Sequence, residues 1–267
     1  GPVRLTLECV ATGRSRAGHD GHPPRKNPLV RPPPGTRRPP ASPSQAAPLA
    51  SRAAALLRQG FALHRQGDLV GARAAYQQVL ALEPRHFDAL QLSGAVALQT
   101  QDFQGAVDWL RQAIALNPRD AAVHSNLGNA LKSLGRMEEA LASYDRAIVL
   151  QADHAEALNN RGVVLEGLRR WNQALADYRR ALEIRPDYAD AWFNLGNVLR
   201  ATRRFDEAVA SCDRAIALRP RHAEAFISRG ASLHALKRLE EARTSYAQAL
   251  AIKPDSDILA GTVLTLD

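Results

Sequence analysis

A 34-residue register runs through most of this 267-residue chain and constrains its fold more than any other feature. Proline, glycine and alanine all follow it. The positions on the register are Pro84, Pro118, Pro186, Pro220 and Pro254; Gly60, Gly94, Gly128, Gly162, Gly196 and Gly230; and Ala72, Ala106, Ala140, Ala174, Ala208 and Ala242. A fixed period of this length indicates an array of structural units, each packed on its neighbours. The six units are 53–86, 87–120, 121–154, 155–188, 189–222 and 223–256.

Each register position has a physical role in a unit of two helices. The glycine and the alanine let the two helices approach closely, where a larger side chain would push them apart. The residue four positions after the alanine, such as Tyr144 or Cys212, is expected to fill the seam. The proline ends the second helix, because it lacks the N–H that the helix needs. We therefore predict an all-α fold.

The best single match to a known pattern is Trp192-x-x-Leu195-Gly196-x-x-Leu199, followed by Ala208, Cys212, Ala215 and Pro220. This pattern resembles the tetratricopeptide repeat, a helix-turn-helix unit. The resemblance implies a right-handed superhelical solenoid of six repeats, with a concave groove that binds protein or peptide partners.

The first 52 residues have a different composition from the repeats. They hold nine Lys or Arg residues, two acidic residues and 11 of the 16 prolines, so they carry +7 of the formal +8 charge. Because proline disfavours helices and few apolar residues are present, we predict that 1–52 is a disordered basic leader. Residues 257–267 are interpreted as a capping segment over the last repeat, or as a lead-out to a further domain.

Nothing in the sequence indicates catalysis. There is no His-Glu-x-x-His, Cys-x-x-Cys or Gly-x-Ser-x-Gly motif, and no glycine-rich phosphate loop. His86, His154 and His222 share one repeat position, so we expect solvated loop residues too dispersed to bind a metal. We predict a cytoplasmic protein that is not an enzyme and has no cofactor or membrane span.

One recurring polar position calls for a functional explanation. The sixth residue of successive repeats is Asn126, Asn160 and Asn194, and then Ser228. Asparagine costs about 0.6 kcal/mol against alanine inside a helix, so its recurrence suggests a compensating use. The family resemblance implies that this position faces the concave groove. An amide there pairs with both the N–H and the C=O of a peptide backbone. We predict an asparagine ladder that binds an extended polypeptide, widened by Asn129 and Asn197 on the same helix face.

Two alternatives to this interpretation of the asparagines stay open. Recent duplication of repeats 3 to 5 would also copy one tolerated asparagine three times. The segments Asn126-Leu127-Gly128-Asn129 and Asn194-Leu195-Gly196-Asn197 resemble repeats of O-GlcNAc transferase and its bacterial relatives. That resemblance implies the substrate-binding arm of a glycosyltransferase whose catalytic domain is absent from these 267 residues.

The charges of the leader and of the groove bear on two further classes of partner, polyanions and chaperone carboxylates. The basic leader suggests binding of nucleic acid or another polyanion, which the nearly neutral repeats do not favour. Repeats of this kind that bind chaperone carboxylates need Lys, Lys and Arg in the groove. Here Ser125, Asp190 and Asn194 occupy those positions, which argues against that class.

Overall fold

The part of the chain that the structure describes is built from α-helices alone. The computed structural model describes residues 43–254, with side chains from Leu49 onward. Within that range the chain forms twelve helices and no strand, which confirms the predicted all-α class. The helices are α1 (Pro43–Gln66), α2 (Leu69–Leu82), α3 (Phe87–Gln99), α4 (Phe103–Leu116), α5 (Ala121–Ser133), α6 (Met137–Leu150), α7 (Ala155–Gly167), α8 (Trp171–Ile184), α9 (Ala189–Ala201), α10 (Phe205–Leu218), α11 (Ala223–Ala235) and α12 (Leu239–Ile252).

Consecutive helices pack in pairs, from α1 on α2 to α11 on α12, with Gly94 of α3 lying against Leu110 of α4, and each pair forms one 34-residue repeat with a first helix and a second helix. The seam of each pair is built on the register glycine. At Gly162, for example, an added Cβ would lie 2.6 Å from Cε1 of Tyr178, which is fully buried. Cys212 takes the tyrosine position beside Gly196 and is also fully buried, so it fills the seam as predicted. Burial raises the pKa of this thiol to about 11.

The ends of the helices follow from the register residues. Five second helices end two residues before a register proline, at Leu82, Leu116, Ile184, Leu218 and Ile252. The turn inside each pair places one residue in the left-handed region, with φ between 57° and 84°. Glycine occupies it at Gly67 and Gly135, where this conformation carries no side-chain penalty.

The first helix begins at Pro43, ten residues before the predicted start of the repeats at residue 53. Residues 43–52 are therefore helical, and the prediction of disorder was wrong for them. Proline is well tolerated in the first turn of a helix, where the N–H groups have no partner inside the helix, and the following residues include several alanines. The rest of the predicted leader, 1–42, and the predicted segment 257–267 lie outside the described residues.

The described helices fall into two units, with the division at Ala89 and Leu90. In the first unit, α1 packs on α2 around Ala53, Val79 and Ala89. In the second unit, each second helix packs on the first helix of the next pair, from α4 and α5 to α10 and α11. The first helices α5, α7, α9 and α11 also contact one another in order. This stacking agrees with the predicted solenoid, whose right-handed superhelical course stays a prediction.

Candidate functional site

The predicted ladder lies on four neighbouring helices of the second unit. Asn126 is on α5, Asn160 on α7, Asn194 on α9 and Ser228 on α11. Because these helices contact one another in order, the four positions form one row across them. We call the surface of α5, α7, α9 and α11 that carries this row the ladder face. The three asparagines are half-buried, whereas Ser228 is buried.

The row is tied together by hydrogen bonds between successive repeats. In each case a ladder residue donates to an asparagine of the preceding repeat. The bonds are Asn160 Nδ2 to Asn129 Oδ1 at 3.0 Å, Asn194 Nδ2 to Asn159 Oδ1 at 3.0 Å, and Ser228 Oγ to Asn197 Oδ1 at 2.8 Å. This use of the recurring polar residues was not predicted from the sequence. The second asparagine in repeats 3, 4 and 5 was the signal that could have indicated it: Asn129 and Asn197 lie three residues after the ladder position, and Asn159 directly precedes it.

The asparagines predicted to widen the row differ in their surroundings. Asn129 is only 8% exposed, and its Oδ1 accepts from both Asn160 and the Tyr144 hydroxyl, the latter at 2.7 Å. These two donors fill both lone pairs of the carbonyl. Asn197 is half-buried, so part of its amide reaches the surface.

Hydrogen-bonding capacity is left over along the ladder face. An amide side chain offers two N–H groups and two lone pairs. Within residues 49–254, Asn126 makes no side-chain hydrogen bond, and Asn194 uses one N–H and leaves its Oδ1 unbonded. Because both side chains are partly exposed, the spare donors and acceptors are open to a ligand.

Acidic residues at the start of three first helices form ion pairs inside their own repeats. Glu156 pairs with Arg185 at 3.3 Å, and Asp190 pairs with Arg219 at 2.8 Å. Glu224 pairs in the same way with Lys253, whose ammonium lowers the pKa of that carboxyl to about 2. Carboxylates in the first turn of a helix complement the helix dipole, and the pairing neutralises them as well.

The three register histidines are not the solvated loop residues that we expected. His154 and His86 act at helix starts, where Nδ1 accepts the backbone N–H of Ala157 at 3.3 Å and of Ala89 at 3.4 Å, respectively. His222 is buried, and its ring centroid lies 4.8 Å from that of Phe193. Burial lowers the pKa of His154 and of His222. Among the described residues, no cluster of three or more His, Cys, Asp or Glu side chains is arranged to hold a metal ion.

A second polar network lies away from the ladder face. Arg161 donates from Nε and Nη2 to both carboxylate oxygens of Asp177, at 2.7 and 2.6 Å, and also pairs with Asp145 of the preceding repeat. This network borders a cleft of about 450 Å³ between α6, α7 and α8. Since its charges are already paired, we assign the network to repeat packing.

The arginine network recurs after two repeats and not after one. Arg229 pairs with Asp213 and donates to Ser245, each 68 residues beyond its counterpart around Arg161. The repeats beside these carry leucine at the same position, Leu127 and Leu195. A similar alternation places His124 and Trp192 against the carbonyl oxygens of Pro118 and Pro186. The side-chain types at these positions therefore recur every 68 residues, whereas the helices recur every 34. We call this spacing the 68-residue chemical period.

Comparison with known proteins identifies the repeat type. Family models described as tetratricopeptide repeat or TPR repeat match residues 53–86, 94–135, 119–187, 160–220 and 193–257. No curated protein sequence matches the chain significantly. Within the described residues, no helix is long and apolar enough to cross a membrane.

Solved structures of similar fold share little sequence with this chain. The PilF protein of Pseudomonas aeruginosa aligns with a TM-score of 0.72 and 18% identity, over 82% of this chain and 100% of that one. The type IV pilus biogenesis factor PilW aligns at 0.71 and 19%, over 79% and 98%. YrrB, a "TPR protein with an unusual peptide-binding site", aligns at 0.59 and 21%, over 72% and 98%. At these identities the likeness concerns the fold alone.

Proposed function

Because this chain belongs to the tetratricopeptide repeat family, we propose that it is a non-catalytic scaffold that binds an extended polypeptide segment along the ladder face. Tetratricopeptide repeats bury a continuous core by stacking, and the stack leaves a long surface for partners. The fold supports such an interaction role, and the peptide-binding site named for YrrB shows that a similar fold carries one. A cytoplasmic location belongs to the same proposal.

The observation that supports this surface best is the row of amides with unused hydrogen-bonding capacity. Asn126 and Asn194 are half-buried and keep donors and acceptors that no described residue occupies. An extended backbone presents an N–H and a C=O at each residue, which such amides can bind together. Binding of this kind depends little on the side chains of the partner.

The predicted site residues divide into two roles in this proposal. Asn126, Asn160, Asn194 and Asn197 are half-buried and contact the bound peptide. Asn129 and Ser228 are buried, so they hold their neighbours in place through the bonds between repeats.

A second candidate is the substrate-binding arm of an O-GlcNAc-transferase-like enzyme. The Asn-Leu-Gly-Asn segments that carry this resemblance also provide Asn126 and Asn194 of the ladder. This alternative uses the same surface and adds a catalytic domain after Asp267. Sequencing the coding region downstream of Asp267 tests it, because the alternative requires a glycosyltransferase domain there.

Binding is best tested with synthetic peptides and a variant that lacks the ladder amides. We expect the full chain with Asn126, Asn160 and Asn194 all changed to Ala to bind a fluorescent nine-residue peptide library at least tenfold more weakly than wild type. Methylation of the peptide backbone nitrogens is expected to weaken wild-type binding similarly. It removes the peptide N–H groups that donate hydrogen bonds to the carbonyl oxygens of the ladder amides. Fluorescence anisotropy measures both effects.

A matched control separates binding from stability. Substituting Asn129 and Asn159 by Ala removes the same two hydrogen bonds between repeats from their acceptor side, while the ladder amides stay. Each lost bond is expected to cost about 1 kcal/mol, and Asn129→Ala also removes the acceptor of the buried Tyr144 hydroxyl, so the control should be at least as destabilised as the ladder variant. Peptide binding that survives in the control and disappears in the ladder variant supports the proposal. Equal binding by wild type and the ladder variant would rule it out.

A further inference from the structure

Beside the asparagines, the ladder face carries a row of four ionisable residues, the first three of which alternate in sign. The row consists of Lys132 on α5, Glu166 on α7, Arg200 on α9 and His234 on α11, at one repeat position. We call these four residues the charge row. Lys132 is three residues after Asn129 on α5, so the two are neighbours on one helix face. The charge row therefore runs alongside the ladder.

The residues of the charge row lack the ion pairs that the other charges of these helices have. Glu156, Asp190 and Glu224 each pair with a basic residue of their own repeat. Within residues 49–254, by contrast, neither Lys132 nor Arg200 makes an ion pair or a side-chain hydrogen bond.

The surroundings of Lys132 and Glu166 also favour binding of oppositely charged groups from a partner. Lys132 is half-buried, and burial lowers the pKa of its ammonium. Glu166 is half-buried as well. Burial raises the pKa of its carboxyl, and this effect exceeds the opposing effects of the Tyr178 hydroxyl, which donates to it at 3.0 Å, and of the Arg200 charge. Both charges have therefore lost part of their water without gaining a direct ion pair, which an oppositely charged ligand would supply.

The spacing of the row fits one peptide conformation. Packed helices lie about 8–10 Å apart, so successive charges recur at about that distance. In a polyproline II segment three residues complete one turn and advance about 9 Å, so every third side chain points in the same direction. A strand does not match, because its side chains alternate between faces.

We propose that the charge row selects the peptide bound on the ladder face, favouring an extended polyproline II segment with acidic, basic and acidic side chains at every third position. These side chains lie opposite Lys132, Glu166 and Arg200, respectively. The inference rests on the proposed function: the ladder binds the backbone, and the charge row reads side chains and fixes the register. Electrostatic complementarity of this kind contributes mainly to specificity.

The leader of this chain does not carry the proposed pattern. Its only acidic residues, Glu8 and Asp20, are 12 positions apart, whereas the pattern needs two acidic residues six positions apart. The occupant that we propose is therefore a segment of another protein.

Three blocked nine-residue peptides in one serine background, which keeps every backbone N–H, test the inference. The first carries Asp, Lys and Asp at positions 2, 5 and 8, the second carries Lys, Asp and Lys, and the third carries serine at all three positions. We expect the full wild-type chain to bind the first at least tenfold more tightly than the second, with the third between them. Because the difference is electrostatic, it should shrink between 50 and 300 mM salt in fluorescence anisotropy.

The decisive experiment reverses the charges of the row in the protein itself. The variant Lys132→Glu, Glu166→Lys and Arg200→Glu is expected to invert the ranking and to prefer the Lys, Asp, Lys peptide. A control with the same change in net charge, Arg146→Glu, Glu183→Lys and Arg221→Glu, alters exposed residues outside the four ladder-face helices and should leave the ranking unchanged. Circular dichroism checks that both variants are folded.

The outcomes distinguish the two proposals. An inverted ranking in the row variant alone supports selection by the charge row. If all three peptides bind wild type equally and binding still requires the ladder asparagines, the proposed function stands and the charge-row inference is wrong. If no peptide binds wild type, the proposed function fails and the inference fails with it.

Discussion

At the scale of single residues, two of the register glycines are fixed by the tyrosines that they contact. An added Cβ at Gly128 or at Gly162 would lie 2.6 Å from the ring of Tyr144 or of Tyr178. Both tyrosines are fully buried, so neither ring has free space to move into. Tight packing of this kind makes even one methyl group costly.

We expect Gly162→Ala to lower the free energy of unfolding by about 1–3 kcal/mol, because the methyl group overpacks the seam against Tyr178. Gly167→Ala provides a control on the same helix, since nothing lies within 4 Å of its added Cβ. Alanine there should be neutral or stabilising by up to about 1 kcal/mol. Urea denaturation measures both variants, and equal midpoints for the two would contradict this account of the seam.

At the scale of helices, the capping residues give stability a dependence on pH. The side chain of Asp120 accepts the Val123 N–H at 3.0 Å at the start of α5, and His154 performs the same role for α7. Only an unprotonated Nδ1 can accept this bond. Burial favours the neutral ring and holds the pKa of His154 below the ordinary value of 6.5, despite the nearby carboxylates of Glu156 and Asp153.

The sign of the pH effect follows from that shift. Because the pKa of His154 is lower in the folded chain than in the unfolded chain, its contribution is present above pH 6.5. The contribution is lost as the pH falls through 6.5 toward the folded-state pKa. We expect His154→Asp, which copies Asp120, to lose less stability than wild type between pH 7.5 and pH 5.5. Urea midpoints that decline in parallel for the two proteins would show that the cap does not titrate.

The sequence predicted the helices better than it predicted the contacts between them. The register prolines and glycines indicated the pairing of helices, because chain geometry determines where such residues are tolerated. The start of α1 at Pro43 was missed, since a high proline content hid a short alanine-containing segment. The bonds from Asn160 to Asn129 and from Asn194 to Asn159 were also missed. They depend on how neighbouring repeats are rotated, which a period alone does not specify.

At the scale of the whole molecule, the arrangement of Arg161, Asp177 and Asp145 ties repeat 3 to repeat 4. The Asp177 side chain is only 7% exposed and has both carboxylate oxygens on the guanidinium. A buried pair of this kind is often replaceable as a unit, whereas removing one partner leaves an uncompensated charge. Repeat 3 has uncharged residues at the corresponding positions, Leu127 in place of the arginine and Ser143 in place of the aspartate.

We expect Arg161→Leu alone to destabilise the chain by about 3–5 kcal/mol, because Asp177 is left buried without its partner. The double variant Arg161→Leu and Asp177→Ser should recover most of that loss. Thermal and urea unfolding measure the three proteins. A double variant as unstable as the single one would show that the arginine contributes through something other than its charge.

The 68-residue chemical period bears on the ancestry of the ladder. Repeats 3 and 5 share Asn-Leu-Gly-Asn, and repeats 4 and 6 both begin with Ala-Glu-Ala after a histidine, which is the pattern expected if a pair of repeats was copied as one segment. Under such copying Asn126 and Asn194 would share one ancestral codon, and their identity alone would not argue for a function. Asn160 belongs to the other half of the pair, and its own sister position holds Ser228. Copying alone would therefore not account for asparagine at 160, which its sister position does not share.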